Sequence, residues 1–98
     1  MSNTIKYGII GAGVMGQEHI HNINIINSAE VVAVCDTNEI SNNQARSLIK
    51  DPAKFYNNIE DLINNNIADA YIIATPNFSH IDILERILKN ILKKHQII

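Results

Sequence analysis

The sequence predicts an α/β fold, in which a doubly wound parallel sheet of about five strands has helices on both faces. Two observations support this prediction, and a third indicates the number of domains. Short apolar runs rich in Ile and Val alternate with amphipathic stretches along the chain, a pattern typical of strands joined by crossover helices. Glycine, aspartate or proline follows most of these runs, as expected where strands end in turns. The 98 residues show no repeat, linker or break in composition, so we expect one domain over residues 1–98.

The first half of the chain predicts two pairs of a strand and a helix. Residues 5–10 form a short apolar run closed by glycine and predict the first strand. Residues 14–27 predict an amphipathic helix, because apolar residues recur mostly at three-residue intervals. Residues 30–35 predict the second strand, and residues 38–49 predict the next helix. The side chains expected to face the core in these two helices are Met15, Ile20, Ile23, Ile26, Ile40, Ala45, Leu48 and Ile49.

The second half of the chain continues the alternation. Residues 54–57 predict a short third strand, residues 59–65 a short helix and residues 69–75 an apolar fourth strand. The longest helix follows, and Ser79 with Asp82 resembles the start of a capping box. Its inward side chains are expected to be Ile81, Leu84, Ile87, Leu88, Ile91 and Leu92.

The last four residues, 95–98, predict the beginning of a fifth strand. A buried strand that stops so early would leave an apolar sheet edge exposed. We therefore expect a C-terminally incomplete domain whose open edge suits pairing with a second copy of the chain.

Composition and charge exclude several classes of protein. Hydrophobic residues make up 46% of the chain and the formal net charge is −2, so the chain is expected to fold and offers no basic surface for a nucleic acid. Cys35 is the only cysteine, which rules out an intrachain disulfide and fits a reducing cytoplasm. No apolar stretch approaches the ~18 residues that a membrane span requires. We expect a cytoplasmic protein that binds neither nucleic acid nor membrane.

Three glycines follow the first predicted strand at the spacing G-x-G-x-x-G. Gly11 would make the tight turn, Gly13 would let a pyrophosphate approach the backbone, and Gly16 would let the helix pack close to the sheet. The N–H groups of Val14 and Met15 would lie in the first helical turn, where an anion is favoured. The alternative is a glycine-rich turn without a ligand, but the context of a strand before and a helix after favours a dinucleotide site.

Asp36 lies at the end of the second predicted strand, twenty residues beyond Gly16. An acid at this place accepts hydrogen bonds from the adenosine ribose of a dinucleotide and repels a 2′-phosphate. Thr37 and Asn38 add no positive charge, and Arg46 lies some helical turns away. NAD is therefore favoured over NADP as the cofactor. The alternative is that Asp36 only caps the following helix.

A second motif follows the fourth predicted strand and makes the comparison with a known family specific. The segments GAGVMGQEH (11–19), VVAVCD (31–36) and IIATPNFSH (72–80) occur in this order. Together they resemble the N-terminal Rossmann domain of the glucose-fructose oxidoreductase, inositol dehydrogenase and rhizopine-catabolism (Gfo/Idh/MocA) family. The resemblance spans essentially the whole chain. It implies a Rossmann-type domain that binds NAD or NADP, of which Asp36 favours NAD.

The resemblance also implies roles for residues of the second motif. The loop that begins at Ala74 would bring Thr75, Pro76 and Asn77 along the ribose and phosphate on the nicotinamide side, with His80 near the cofactor. Without the resemblance, Asn77 or Ser79 is better explained as a helix cap and His80 as a first-turn residue bound to solvent or backbone. His19 matches a histidine of the family's first helix and is expected to pack within the fold. No metal site is predicted, and no catalytic residue can be assigned.

The resemblance implies hydride transfer between nicotinamide and a hydroxyl-bearing carbon of a sugar, polyol or related molecule. Family members continue into a Glu-Lys-Pro segment, whose lysine is the expected proton-transfer residue, and then into a second α/β domain. Neither is present in the 98 residues, so we expect a small-molecule substrate only together with that domain and no catalysis by this chain alone. The alternative functions are a non-catalytic NAD(H) sensor and a truncated remnant that only binds the nucleotide.

Overall fold

The computed structural model describes residues 4–49, 52–65, 67–76 and 79–95. Four parallel strands and four helices alternate along these residues, which confirms the predicted α/β class. The strands are β1 (Ile5–Ile10), β2 (Ala29–Cys35), β3 (Lys54–Tyr56) and β4 (Ala70–Ile73). The helices are α1 (Val14–Ile25), α2 (Glu39–Arg46), α3 (Ile59–Asn64) and α4 (His80–His95).

The strand order is β3-β2-β1-β4, with every pairing parallel. β1 is followed on one side by β2 and on the other by β4, so the order reverses at β1. In doubly wound sheets such a reversal opens a crevice at the carboxyl ends of the strands, where ligands bind. The crevice here lies between the loops that follow β1 and β4.

Helices cover both faces of the sheet and divide the core into two clusters. The neighbouring residues Ile9 and Ile10 lie in different clusters because successive side chains of a strand point to opposite faces. One cluster joins the sheet to α1 and α2 and contains Ile9, Ala12, Ile20, Ile23, Val31, Val34 and Ala45. The other joins it to α3 and α4 and contains Ile10, Ala33, Cys35, Ile59, Leu62, Ile63, Ile83 and Ile87.

The buried face of α4 differs from the predicted one. Ile83 and Ile87 are buried, whereas 71% of Ile81, 48% of Leu84 and 57% of Leu88 is exposed. Two apolar stripes run along this helix, and the packing against α3 selects the stripe that contains Ile83. The prediction was therefore correct for Ile87 and wrong for the three exposed side chains.

Three further side chains expected in the core are exposed. Met15 is 60% exposed, Ile26 51% and Ile40 70%. Met15 and Ile40 lie in the first turns of α1 and α2, and Ile26 follows the last residue of α1. Periodicity indicates which residues share a helical face, but it does not indicate how far along the helix the sheet covers that face.

Two predictions about the C-terminal third need correction. His95 is the last residue of α4 and not the first of a fifth strand, while residues 96–98 and Asn77 lie outside the described residues. The expected capping box is also not formed by Ser79. Its hydroxyl oxygen lies 2.7 Å from the carbonyl oxygen of Pro76 and 2.8 Å from the hydroxyl oxygen of Thr75.

Candidate cofactor-binding site

The loop between β1 and α1 brings two of its glycines into close contact with backbone. Gly11 has a φ of +103°, and a Cβ atom there would lie 2.9 Å from the carbonyl carbon of Ala74. Only glycine combines this conformation with this approach. A Cβ atom on Gly16 would overlap the carbonyl oxygen of Gly11. Both glycines therefore let α1 and the strand ends meet closely at the crevice.

Gly13 has a different environment, because a Cβ atom at this residue would meet nothing within 4 Å. Gly13 is the residue before α1, and no side chain caps the helix there. The first helical hydrogen bond runs from the Gln17 N–H to the Gly13 carbonyl oxygen over 2.9 Å. The N–H groups of Val14 and Met15 precede it and have no intrahelical acceptor. Open space and unpaired N–H groups at a helix N-terminus suit an anion.

Asp36 follows β2 and contacts the glycine loop directly. Its Oδ2 accepts a hydrogen bond of 2.7 Å from the Ala12 N–H, and its Oδ1 accepts one of 2.7 Å from the Asn38 N–H. The residue that caps α2 is Asn38, whose side chain accepts from the Ser41 N–H. Asp36 is therefore not the helix cap. A carboxylate accepts about four hydrogen bonds, so both oxygens of Asp36 keep acceptor capacity.

The loops that follow β1, β2 and β4 line a cavity of about 380 Å³, which we call the cleft. The predicted site residues among its walls are Gly11, Gly13, Asp36, Thr37, Ala74, Thr75 and Pro76. The remaining wall residues are Ile10, Cys35, Ile59, Ser79, Asp82, Ile83 and Arg86. The cleft thus has the glycine loop on one side, the second motif on the other and an apolar floor between α3 and α4.

A second cavity of about 430 Å³ continues from the cleft; we call it the outer cavity. It shares four wall residues with the cleft and adds Val14 and Met15. Both added side chains are exposed, Val14 at 84%. The outer cavity is open and apolar, and it begins where the first turn of α1 faces Pro76.

His80 belongs to neither cavity wall. Its Nε2 lies 2.7 Å from the carbonyl oxygen of Thr75, and since a carbonyl only accepts, Nε2 carries the proton in this contact. The bond ties the first turn of α4 to the loop that follows β4. His80 therefore matches the simpler interpretation, in which backbone satisfies the ring, and it lies close to Thr75 in the cleft wall.

Several residues of the cleft were not predicted from the sequence. Burial raises the pKa of the Cys35 thiol to about 11, and the charge of Asp36 adds to the effect, so the thiol is protonated at neutral pH.

Arg86 makes two hydrogen bonds to Glu60 of α3, at 2.9 and 2.8 Å, and this bonding raises the pKa of Arg86 and lowers that of Glu60. Cys35 could have been found as the neighbour of Asp36, but Arg86 depends on the orientation of α4.

The structure assembles most of the predicted site residues at one place. Gly16 lies beneath the loop, and Asn77 lies outside the described residues. No group of three or more potential metal ligands occurs among the described residues. No helix of the described part is both long and apolar enough to cross a membrane.

The known proteins that are similar to this chain include dehydrogenases. Inositol 2-dehydrogenase from Salmonella paratyphi B is 37% identical over 81 residues, which are 82% of this chain and 24% of the relative. Glucose-6-phosphate 3-dehydrogenase from Bacillus subtilis is 37% identical over 76% of this chain and 20% of its own length. The chain thus spans about a quarter of the length of the relatives it matches.

A solved structure agrees with these relatives. The myo-inositol dehydrogenase from Lactobacillus casei, in complex with NAD(H) and myo-inositol, superimposes with a TM-score of 0.80 at 30% identity, over 88% of this chain and 26% of that protein. The family model described as the oxidoreductase family with an NAD-binding Rossmann fold matches residues 5–98. The chain therefore belongs to the Gfo/Idh/MocA family of oxidoreductases, as its three sequence motifs predicted.

Proposed function

We propose that this chain binds NAD in the cleft and supplies the cofactor-binding part of a dehydrogenase. The main support for this proposal is the environment of Gly13. A glycine whose Cβ direction is empty, at the start of a helix with unpaired N–H groups, has no explanation in the packing of the fold. A diphosphate seated against this backbone explains it.

With the diphosphate placed against the backbone at Gly13, the two halves of the cofactor would extend in opposite directions from it. The adenosine ribose would lie beside Asp36 and Thr37, with the adenine over the apolar floor that includes Cys35 and Ile83. The nicotinamide half would extend past Thr75 and Pro76 into the outer cavity, beside Val14 and Met15. The family resemblance also assigns Ala74, Asn77 and His80 to the nicotinamide half, and the proposal keeps these assignments without giving any residue a catalytic role.

We propose NAD over NADP because of the charges at the ribose end. A 2′-phosphate beside Asp36 would meet a carboxylate, which repels a second anion. The guanidinium of Arg46 lines a neighbouring cavity whose walls also include Asp36 and Thr37. It stacks 4.2 Å from the centre of the Phe55 ring, and the carboxylates of Glu39 and Asp61 line the same cavity. Arg86 lines the cleft but already binds Glu60 in a two-bond arrangement.

The reaction we propose is hydride transfer between NAD and a hydroxyl-bearing carbon of a polyol or sugar. The named relatives act on inositol and on glucose 6-phosphate, and both molecules carry secondary hydroxyl groups. Bound NAD would accept or supply the hydride, while the chain described here binds and orients the cofactor. We place the substrate site outside this chain, in the second domain that the family resemblance implies.

Association of copies through the sheet edge and a cytoplasmic location stay predictions. β4 is the outermost strand on its side among the described residues, and its free edge offers backbone N–H and C=O groups to a further strand. The buried thiol of Cys35 has no partner cysteine in the sequence, which suits a reducing compartment.

Calorimetric titration of the chain with NAD and with NADP tests the proposed function. We expect saturable NAD binding at least about tenfold tighter than NADP binding, a difference of about 1.4 kcal/mol. Asp36→Ala should remove or reverse this preference, because it deletes the carboxylate beside the ribose. Equal affinities of the unmodified chain for the two dinucleotides would refute the role of Asp36.

Asp69→Ala is the matched control for that titration. Asp69 also accepts a hydrogen bond from a backbone N–H, that of Lys6 at 2.9 Å, but it lies at the opposite end of the sheet from the cleft. Its removal should leave the ratio of NAD to NADP affinity unchanged. An equal loss of preference in both variants would assign the effect to stability and not to the ribose contact.

A further inference from the structure

The peptide groups on both sides of Ala12 are held by side chains that come from outside the loop. Ala12 is fully buried, so its backbone groups cannot bond to solvent and need protein partners. Its N–H donates to Asp36 Oδ2 at 2.7 Å, and its carbonyl oxygen accepts from the Gln17 side-chain Nε2 at 2.9 Å. Within the described part of the chain, Gln17 is the only donor to this carbonyl oxygen.

The bond to Gln17 has a consequence for the next residue. The peptide group that joins Ala12 to Gly13 is planar and trans, so its C=O and N–H point in opposite directions. Holding the Ala12 carbonyl toward Gln17 therefore fixes the direction of the Gly13 N–H. Gly13 belongs to the walls of both the cleft and the outer cavity, while Gln17 belongs to neither.

Gln17 also connects the loop to α2. The same Nε2 lies 3.1 Å from Oε1 of Gln44, and since a primary amide has two N–H bonds, one amide can serve both acceptors. A carboxylate in place of this amide has no proton to donate to either of them. The side chain of Gln17 thus holds the glycine loop against the neighbouring helix.

We propose that Gln17 is a positioning residue for the phosphate-binding loop, acting through the Ala12–Gly13 peptide without touching the ligand. The proposal rests on the proposed function, since it concerns the diphosphate of the same dinucleotide. Gln17 contributes to the affinity for the diphosphate and not to the affinity for adenosine.

Titration of the chain and its variants with NAD, ADP and adenosine tests this claim. Gln17→Ala should weaken NAD and ADP about three- to tenfold, the effect of one lost hydrogen bond, and change adenosine affinity less than twofold. Gln17→Glu keeps the size but lacks the donor, so it should weaken NAD and ADP at least as much. Equal weakening of ADP and adenosine would overturn the proposal, as would unchanged ADP affinity in both variants.

Asn24→Ala is the matched control. Asn24 lies two turns further along α1, and its Nδ2 donates to the Leu48 carbonyl oxygen at 2.8 Å, so this variant also loses a bond from a side-chain amide to backbone. It should leave the affinities for all three ligands unchanged. Selective loss of ADP affinity in this control would contradict a specific role for Gln17.

Hydrogen exchange of the Ala12 amide, measured by NMR without ligand, tests the role of Gln17 independently of NAD binding. We expect faster exchange in Gln17→Ala than in the unmodified chain and in Asn24→Ala, because the loop opens more often when the carbonyl is released. Unchanged exchange in Gln17→Ala would overturn the positioning role. Failure of the unmodified chain to bind NAD or ADP would instead refute the proposed function, and the exchange result would still decide how Gln17 acts.

Discussion

Gly13 and Gly16 belong to one motif, yet the structure requires glycine at the two residues for different reasons. A side chain on Gly16 would overlap the backbone of Gly11, whereas a side chain on Gly13 would extend into open space. Gly16 is therefore required by the fold. Gly13 is required only if a ligand occupies the space beside it.

This difference predicts opposite outcomes for two substitutions. Gly13→Val should change the free energy of unfolding by less than about 1 kcal/mol and abolish NAD binding, because the valine fills the space of the diphosphate. Gly16→Ala should cost at least about 2 kcal/mol, because α1 must move away from the loop. Urea unfolding and calorimetric titration measure the two effects, and normal NAD affinity in Gly13→Val would show that the loop does not hold the phosphates.

The sequence predicted where the site residues lie but not how they contact one another. The spacing of the glycines and the place of Asp36 after β2 follow from local patterns. The bond from the Ala12 N–H to Asp36 joins residues 24 apart, and the bond from Gln17 to Ala12 depends on the exact path of the loop. Gln17 lies on the polar side of a predicted helix, where nothing in the sequence distinguishes it from a solvated side chain.

Helix α4 shows that the periodicity of apolar residues does not by itself predict which face of a helix is buried. Ile81, Leu84 and Leu88 have the helical spacing of an inward stripe, and Ile83 with Ile87 has it equally well. The structure buries the second stripe against α3 through contacts of the core cluster. Only the partner surface distinguishes the two stripes, because both are apolar.

The buried stripe predicts unequal stability effects along one helix. Ile87→Ala should lower the free energy of unfolding by about 2–4 kcal/mol, because it deletes buried methyl groups and leaves a cavity. Leu84→Ala, at a residue 48% exposed, should cost less than about 1 kcal/mol. Chemical denaturation of the two variants measures both values. A larger loss for Leu84→Ala would show that α4 packs with the other face.

The whole molecule was predicted more accurately than its individual helical faces. Apolar runs separated by helical patterns indicate a parallel sheet, and the first strand was predicted at the residues it occupies, Ile5–Ile10. Other boundaries differ by a few residues, as for the fourth strand, predicted over 69–75 and found at Ala70–Ile73. Fold class follows from the order of the elements, which the sequence contains, whereas burial depends on which surfaces meet.

The chain spans about a quarter of the length of its relatives, but the glycine loop, Asp36 and the second motif meet within it. Dinucleotide binding should therefore be a property of these 98 residues, independent of a substrate site. This can be measured on the chain itself.

Titration of the isotope-labelled chain with NAD, followed through its amide NMR signals, tests the central claim most directly. If NAD binds in the cleft, we expect saturable shifts that are largest at Gly13, Val14 and Met15 and at the amides next to Asp36, with little change at the opposite end of the sheet. The absence of saturable shifts, or shifts confined to residues outside the cleft and the outer cavity, would contradict it.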